Sequence, residues 1–136
     1  MLDVAEENDR KAGVAERYER LQGSAFEVDF GGLYDVVLLT NFLHHFDKPT
    51  CVGLLKKVHA ALKPGGRAAT LEFVPNEDRV SPPMPAGFAL TMLATTESGD
   101  AYTLSELTAM YVEAGFKDIV GRPIAMSPHT IVLGTA

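Results

Sequence analysis

The sequence predicts an α/β fold, a parallel strand, helix, strand unit in mid-chain followed by helices and a C-terminal antiparallel hairpin. Three observations carry this. Asp35 to Thr40 is leucine-rich and β-branched without polar alternation, the pattern of a strand covered on both faces in a parallel sheet. Asp47 then caps a helix with Pro49 in its first turn, whose Cys51, Leu54, Leu55, Val58 and Leu62 recur at helical spacing to form one apolar face. Lys63-Pro64-Gly65-Gly66 stops that helix and turns the chain into a second strand, Arg67 to Val74, so the unit is βαβ and its crossover right-handed.

The remaining elements follow in order. Leu2 to Ala12 reads as a surface helix with an acidic first turn, ended by Gly13. Arg17 to Leu21 reads as a short edge strand, since Arg17, Glu19 and Arg20 forbid burial on both faces. Pro75 to Pro85 is charged and then proline-rich, a loop, and Phe88 to Leu93 after it is a short helix. Thr103-Leu104-Ser105-Glu106 has the form of a capping box and opens an amphipathic helix running to Gly115. Ile119 to Ala125 and Thr130 to Thr135, joined through Ser127-Pro128-His129, form the final hairpin at one sheet edge.

Composition narrows the class. With 136 residues, 46% of them hydrophobic and 22% charged, the chain is long enough for one core and too short for two. One domain, residues 1–136, is therefore expected. Cys51 is the single cysteine, so no internal disulfide forms and a cytoplasmic location is the default. No apolar run approaches the ~20 residues that span a bilayer, and the acidic N-terminus is unlike a signal peptide, so no membrane is expected. The net charge is -6 and the basic residues are scattered, which argues against nucleic acid as a partner. A small-molecule partner fits better. His44, His45, Asp47 and His59 show no metal-ligand spacing, and no metal site is expected.

The run Tyr34 to Phe46 delivers His44 and His45 to the carboxyl end of an apolar strand, where ligands collect in open α/β sheets. Together with Gly23-Ser24-Ala25-Phe26, Leu62-Lys63-Pro64-Gly65-Gly66-Arg67, Leu71-Glu72-Phe73-Val74-Pro75, Met92 to Thr96, Gly99 to Thr103 and Ala114-Gly115-Phe116, it resembles the class I S-adenosylmethionine-dependent methyltransferases, small-molecule O-methyltransferase branch. The agreement runs in order over nearly the whole chain. It implies a partial Rossmann-like sheet, strands 3 to 7 of the family order 3-2-1-4-5-7-6, mostly parallel with the C-terminal hairpin antiparallel. The family's first two strands, with the glycine-rich turn and the acidic strand end that hold the cofactor, have no counterpart here, so the chain resembles the C-terminal part of a catalytic domain only. An apolar strand that lacks a flank invites another chain: either a second copy pairs there or Arg17 to Leu21 folds back onto that edge, and of the two a homodimer through the sheet edge is expected.

The resemblance also implies site residues. His44 falls on the position of the base that deprotonates the acceptor hydroxyl, a task suited to an imidazole because this residue type titrates near ~6.5. The alternative is a partly buried structural histidine. Glu72 matches the carboxylate that orients that histidine, or else solvates a strand end. Ser24, Ala25, Phe26, Thr40, Asn41 and His45 would line the remaining S-adenosylmethionine pocket, with core packing the simpler account of Phe26. Met84, Phe88, Met92 and Tyr102 fall where this branch keeps its acceptor pocket, although apolar residues at helical spacing also serve a core. Asp100 is present, but Ala101 stands where plant-type members carry a further carboxylate.

Two functions are therefore expected as alternatives. One is S-adenosylmethionine-dependent O-methylation of a small organic acceptor, by this chain or by a protein of which it is a fragment. The other is a non-catalytic remnant of the fold acting as a homodimer or partner subunit.

Overall fold

In the computed structural model, which describes residues 2–136, the chain divides into two compact units, residues 1–31 and 32–136. The first holds helix α1 (Leu2–Lys11), ended by Gly13 at φ 67°, and a 3-10 turn, Ala15–Arg17. No strand forms over Arg17 to Leu21, which corrects the expected edge strand. The reason lies in its charges: Arg20 turns back onto α1, 3.0 Å from the buried Asp9 carboxylate and 3.3 Å from Glu6, and a segment tied to a helix by its side chains cannot also ladder.

The second unit contains β1 (Tyr34–Thr40), α2 (Lys48–Ala61), β2 (Leu62–Phe73), α3 (Pro83–Thr95), α4 (Leu104–Glu113), β3 (Lys117–Pro123) and β4 (His129–Thr135). The sheet order is β1-β2-β4-β3. β1 and β2 are parallel and joined through α2, while β2 with β4 and β4 with β3 are antiparallel. The sheet is thus not mostly parallel: a hairpin whose second strand inserts beside β2 contributes two antiparallel pairings to a single parallel one.

Local chemistry fixes the helix ends. Asp47 accepts the Thr50 amide at 2.9 Å to cap α2, and Thr103 with Glu106 forms the reciprocal capping box of α4. The polyproline stretch belongs to α3 instead of the loop expected there, because Pro83 and Pro85 lie in its first turn, where a missing amide hydrogen costs nothing.

One face of the sheet is packed. Cys51, Leu55 and Val58 of α2 and Leu107 and Tyr111 of α4 are wholly buried with Leu43 and Val132, and each large apolar side chain so buried contributes roughly 1.5–3 kcal/mol. The Tyr111 hydroxyl meets Thr70 of β2 in this layer. A side chain at Gly134 would run into the Tyr111 ring, so the missing Cβ lets α4 settle on β4. The opposite face carries a row in register across all four strands, Leu38, Ala69, Leu133 and Val120. Leu38 is 67% exposed and Val36 53%, so β1 is not covered on both faces as its composition predicts. Its apolar run is that of an interior strand, but in the sheet it is an outer one.

Candidate active site

The chain leaves β1 through Asn41, whose φ of 51° is left-handed, a conformation asparagine tolerates better than most residues. Its amide donates to the Leu71 carbonyl at 2.8 Å, and the backbone then folds into a 3-10 turn, Leu43–His45, over the carboxyl end of the sheet. Both ends of that turn are tied down by hydrogen bonds. Glu72 Oε1 accepts the amides of Phe42 and Leu43 at 3.0 and 2.9 Å. The Cys51 thiol donates to the Leu43 carbonyl at 3.2 Å, the Asp100 amide to the His44 carbonyl at 3.0 Å, and the Tyr102 hydroxyl to the Phe46 carbonyl at 2.5 Å. Burial, helped by the negative charges of Glu72 and Asp47, pushes the Cys51 thiol up to about 12, so it stays protonated as a donor. Burial likewise raises the Tyr102 phenol and keeps its proton in place.

The second oxygen of Glu72 lies 2.5 Å from His44 Nδ1, with both residues buried. A carboxylate only accepts, so Nδ1 carries a proton, and in the neutral imidazole Nε2 then presents the lone pair. The ring is held edge-on by Phe88, with centroids 4.8 Å apart, and lies 4.3 Å from the His45 ring. Phe88 in turn stacks on Phe73 at 4.2 Å, and Phe73 meets His129 at 4.2 Å. These rings form one row along this end of the sheet.

The structure brings together His44, Glu72, His45 and Phe88. Thr40, Asn41 and His45 are exposed beside them at the end of β1. Met84, 63% exposed, occupies the first turn of α3, whereas Met92 and Tyr102 are buried, the latter with its hydroxyl already committed to Phe46. Ser24, Ala25 and Phe26 form a turn in the 1–31 unit, where Ser24 Oγ accepts the Phe26 amide at 3.3 Å. Sequence reasoning missed Phe73 and His129, which the register of β2 with β4 sets side by side. It also missed the second task of Glu72, whose signal was an acidic residue inside an otherwise apolar strand. Among the described residues no three His, Cys, Asp or Glu side chains gather as a metal cage, and no helix is long and apolar enough to cross a membrane.

A buried histidine and carboxylate at a strand end are shared by many enzymes, and comparison with known proteins decides the family. The O-methyltransferase domain family matches residues 2–117. This chain belongs to that family. It is 32% identical over 116 residues to the tetracenomycin polyketide synthesis 8-O-methyl transferase TcmO of Streptomyces glaucescens, covering 85% of this chain and 34% of that protein. It is 29% identical over 123 residues to the S-adenosyl-L-methionine-dependent methyl transferase PigF of a Serratia strain, covering 90% of this chain and 35% of PigF. A solved structure from Nostoc punctiforme PCC 73102, assigned as an O-methyltransferase, superposes with a TM-score of 0.96 at 47% identity, covering 99% of this chain and 42% of that one. An O-methyltransferase family 2 protein of Planctomyces limnophilus in complex with apigenin does so with a TM-score of 0.87 at 29% identity, covering 99% and 40%. The chain spans about a third of the length of the curated relatives it matches.

Proposed function

We propose that this chain carries the acceptor-deprotonating part of an S-adenosylmethionine-dependent O-methyltransferase acting on a small organic acceptor, with His44 as general base and Glu72 as its positioning residue. The observation that carries the reading is the 2.5 Å contact of His44 Nδ1 with a carboxylate that is itself anchored to the turn bearing the histidine. Anchoring at both ends fixes the tautomer and the ring plane, leaving Nε2 to accept the hydroxyl proton of an acceptor lying over the aromatic row. PigF has been solved with S-adenosylhomocysteine, and a neighbour from neocarzinostatin biosynthesis with S-adenosylmethionine and a naphthoic acid, which supports the choice of donor and acceptor class.

The fit to that donor is partial. Thr40, Asn41 and His45 supply polar groups open to solvent at the end of β1. Among the described residues no glycine-rich turn follows a strand in the manner that would cradle the amino-acid end of the donor. The donor supplies an electrophilic methyl group when bound. On this reading residues 1–136 are a truncated part of one cytoplasmic catalytic domain, and β1, β2, β4 and β3 correspond to strands 4, 5, 7 and 6 of the family order.

The test is ionisation of a bound phenol, which needs no donor. Bound 2-naphthol should show the absorbance of its naphtholate at a pH below its free value, and His44→Gln should remove that shift while the chain stays folded. An unchanged shift in the variant would end the assignment of His44 as base.

A second reading is favoured by the exposed Val36 and Leu38 of β1: self-association through that edge and face into a homodimer, with or without catalysis.

A further inference from the structure

His44 is not the last imidazole of the aromatic row. At the far end, His129 opens β4 beside the carboxyl end of β2 and lines a cavity of about 580 Å³, a volume ordinary for a small-molecule site. Its walls are preformed, because Pro82, Pro83 and Pro85 at the start of α3 face Pro123 and Pro128 of the hairpin and each has its φ fixed by the ring. Little conformational entropy remains for a ligand to remove there. Met84 and Met126 line it too, both strongly exposed, the adaptable apolar surface that suits flat molecules.

The hydrogen bonds of His129 mirror those of His44. Ser127 Oγ accepts the His129 amide at 3.2 Å and lies 3.0 Å from Nδ1, placed to donate its hydroxyl proton to Nδ1 in the tautomer that carries the imidazole proton on Nε2. With His129 in that tautomer, the row has a proton acceptor at the His44 end and a proton donor at the other, with Phe88 and Phe73 between them.

We infer that the proline-walled cavity is the distal subsite of an elongated aromatic acceptor, and that His129 Nε2 there binds a carboxylate or carbonyl oxygen at the opposite end from the hydroxyl delivered to His44. This rests on the proposed function for the orientation of the acceptor, but the subsite itself is read by binding alone. It makes His129 a specificity determinant: a carboxylate across the ring system meets a donor, and an acceptor without one leaves that donor without its partner.

Two naphthalene ligands differing only at the far end test it. Fluorescence titration of the 136-residue chain should give at least tenfold tighter binding for 6-hydroxy-2-naphthoic acid than for 2-naphthol. His129→Ala should reduce the acid to the level of 2-naphthol, leave 2-naphthol unchanged, and be partly rescued by His129→Gln, which restores an N–H donor. The 3-hydroxy-2-naphthoic isomer, with its carboxylate beside the hydroxyl, should gain nothing from His129. Equal affinity for the first two ligands, or a preference that survives His129→Ala in a chain whose melting is unchanged, would overturn the subsite. His44→Gln separates the two readings, since it should abolish naphthol ionisation yet keep the tenfold preference.

Discussion

Glu72 Oε2 lies 2.5 Å from His44 Nδ1, while Oε1 of the same carboxylate holds the amides of Phe42 and Leu43. One side chain on β2 therefore sets both the turn that carries the histidine and the tautomer of its ring. A side chain with two separate tasks can be made to lose one and keep the other.

Glu72→Gln keeps an oxygen for the two amides but can turn an NH2 donor toward Nδ1, which moves the imidazole proton to Nε2 and removes the acceptor lone pair. Phenol ionisation should fall by about 100-fold or more, within the ~10²–10⁴ a general base contributes. Stability should change little by comparison. Glu72→Ala loses both tasks, orphans two amides of the turn and should cost on the order of 3 kcal/mol in urea denaturation. Equal loss of stability in the two variants would contradict the division of labour.

Gly99 packs so closely that an added Cβ would collide with the His44 carbonyl and Thr96 Oγ1. The carbonyl belongs to the clamped turn and cannot yield, so Gly99→Ala should break the Asp100 amide bond to His44, destabilise the chain by about 2 kcal/mol or more and shift the His44 ring resonances. Gly53 sits mid-helix in α2, where an added methyl group would meet nothing within 4 Å. Gly53→Ala should stabilise by roughly 0.5–1 kcal/mol, as glycine is a poor helix former. The pair is read side by side by urea melts.

Much of this was legible in the sequence, because the signals were local. The caps at Asp47 and Thr103 and the hairpin around Pro128 rest on residues whose chemistry acts within a few positions, whereas α2 already ends at Ala61 and Lys63 to Gly66 lie within β2, which starts at Leu62 and not at the expected Arg67. The site was half legible: the position of His44 follows from one strand, and its pairing with Glu72 from the resemblance and from the adjacent ends of two parallel strands in one βαβ unit. Phe73 and His129 become neighbours only through β4, whose insertion beside β2 no local pattern encodes. Residues 17–21 misled for the converse reason, since a strand-like composition was overruled by Arg20 reaching Asp9 and Glu6.

Arg79 ties the loop before α3 to the start of α4, donating to Glu106 at 2.5 and 2.6 Å and to Asp100 at 3.0 Å. Burial alone would raise the Glu106 carboxyl, but the Lys48 ammonium, the Thr103 amide and the Arg79 guanidinium hold it down to about 2, against an ordinary 4.5. A depressed folded value means that its stabilisation is complete above about 4.5 and lost as pH falls toward 2. Wild type should exceed Glu106→Gln in stability at pH 7, and the gap should close between about pH 5 and pH 2. A gap constant over that range would show that Glu106 does not act as a charge.

Leu38 projects from an outer strand at 67% exposure, in register with Ala69, Leu133 and Val120, on the sheet face opposite α2 and α4. Apolar surface of this kind on an edge is closed by symmetric pairing more readily than by any other route available to a single chain. Sedimentation velocity should find a concentration-dependent dimer for the wild type and a monomer for Leu38→Lys. Because the side chain is already largely in water, the substitution should alter monomer stability by no more than about 0.5 kcal/mol. Phenol ionisation at His44 should persist in the monomer, as Glu72, Phe88 and His45 reach that ring from within the same chain. A monomeric wild type would end the homodimer reading.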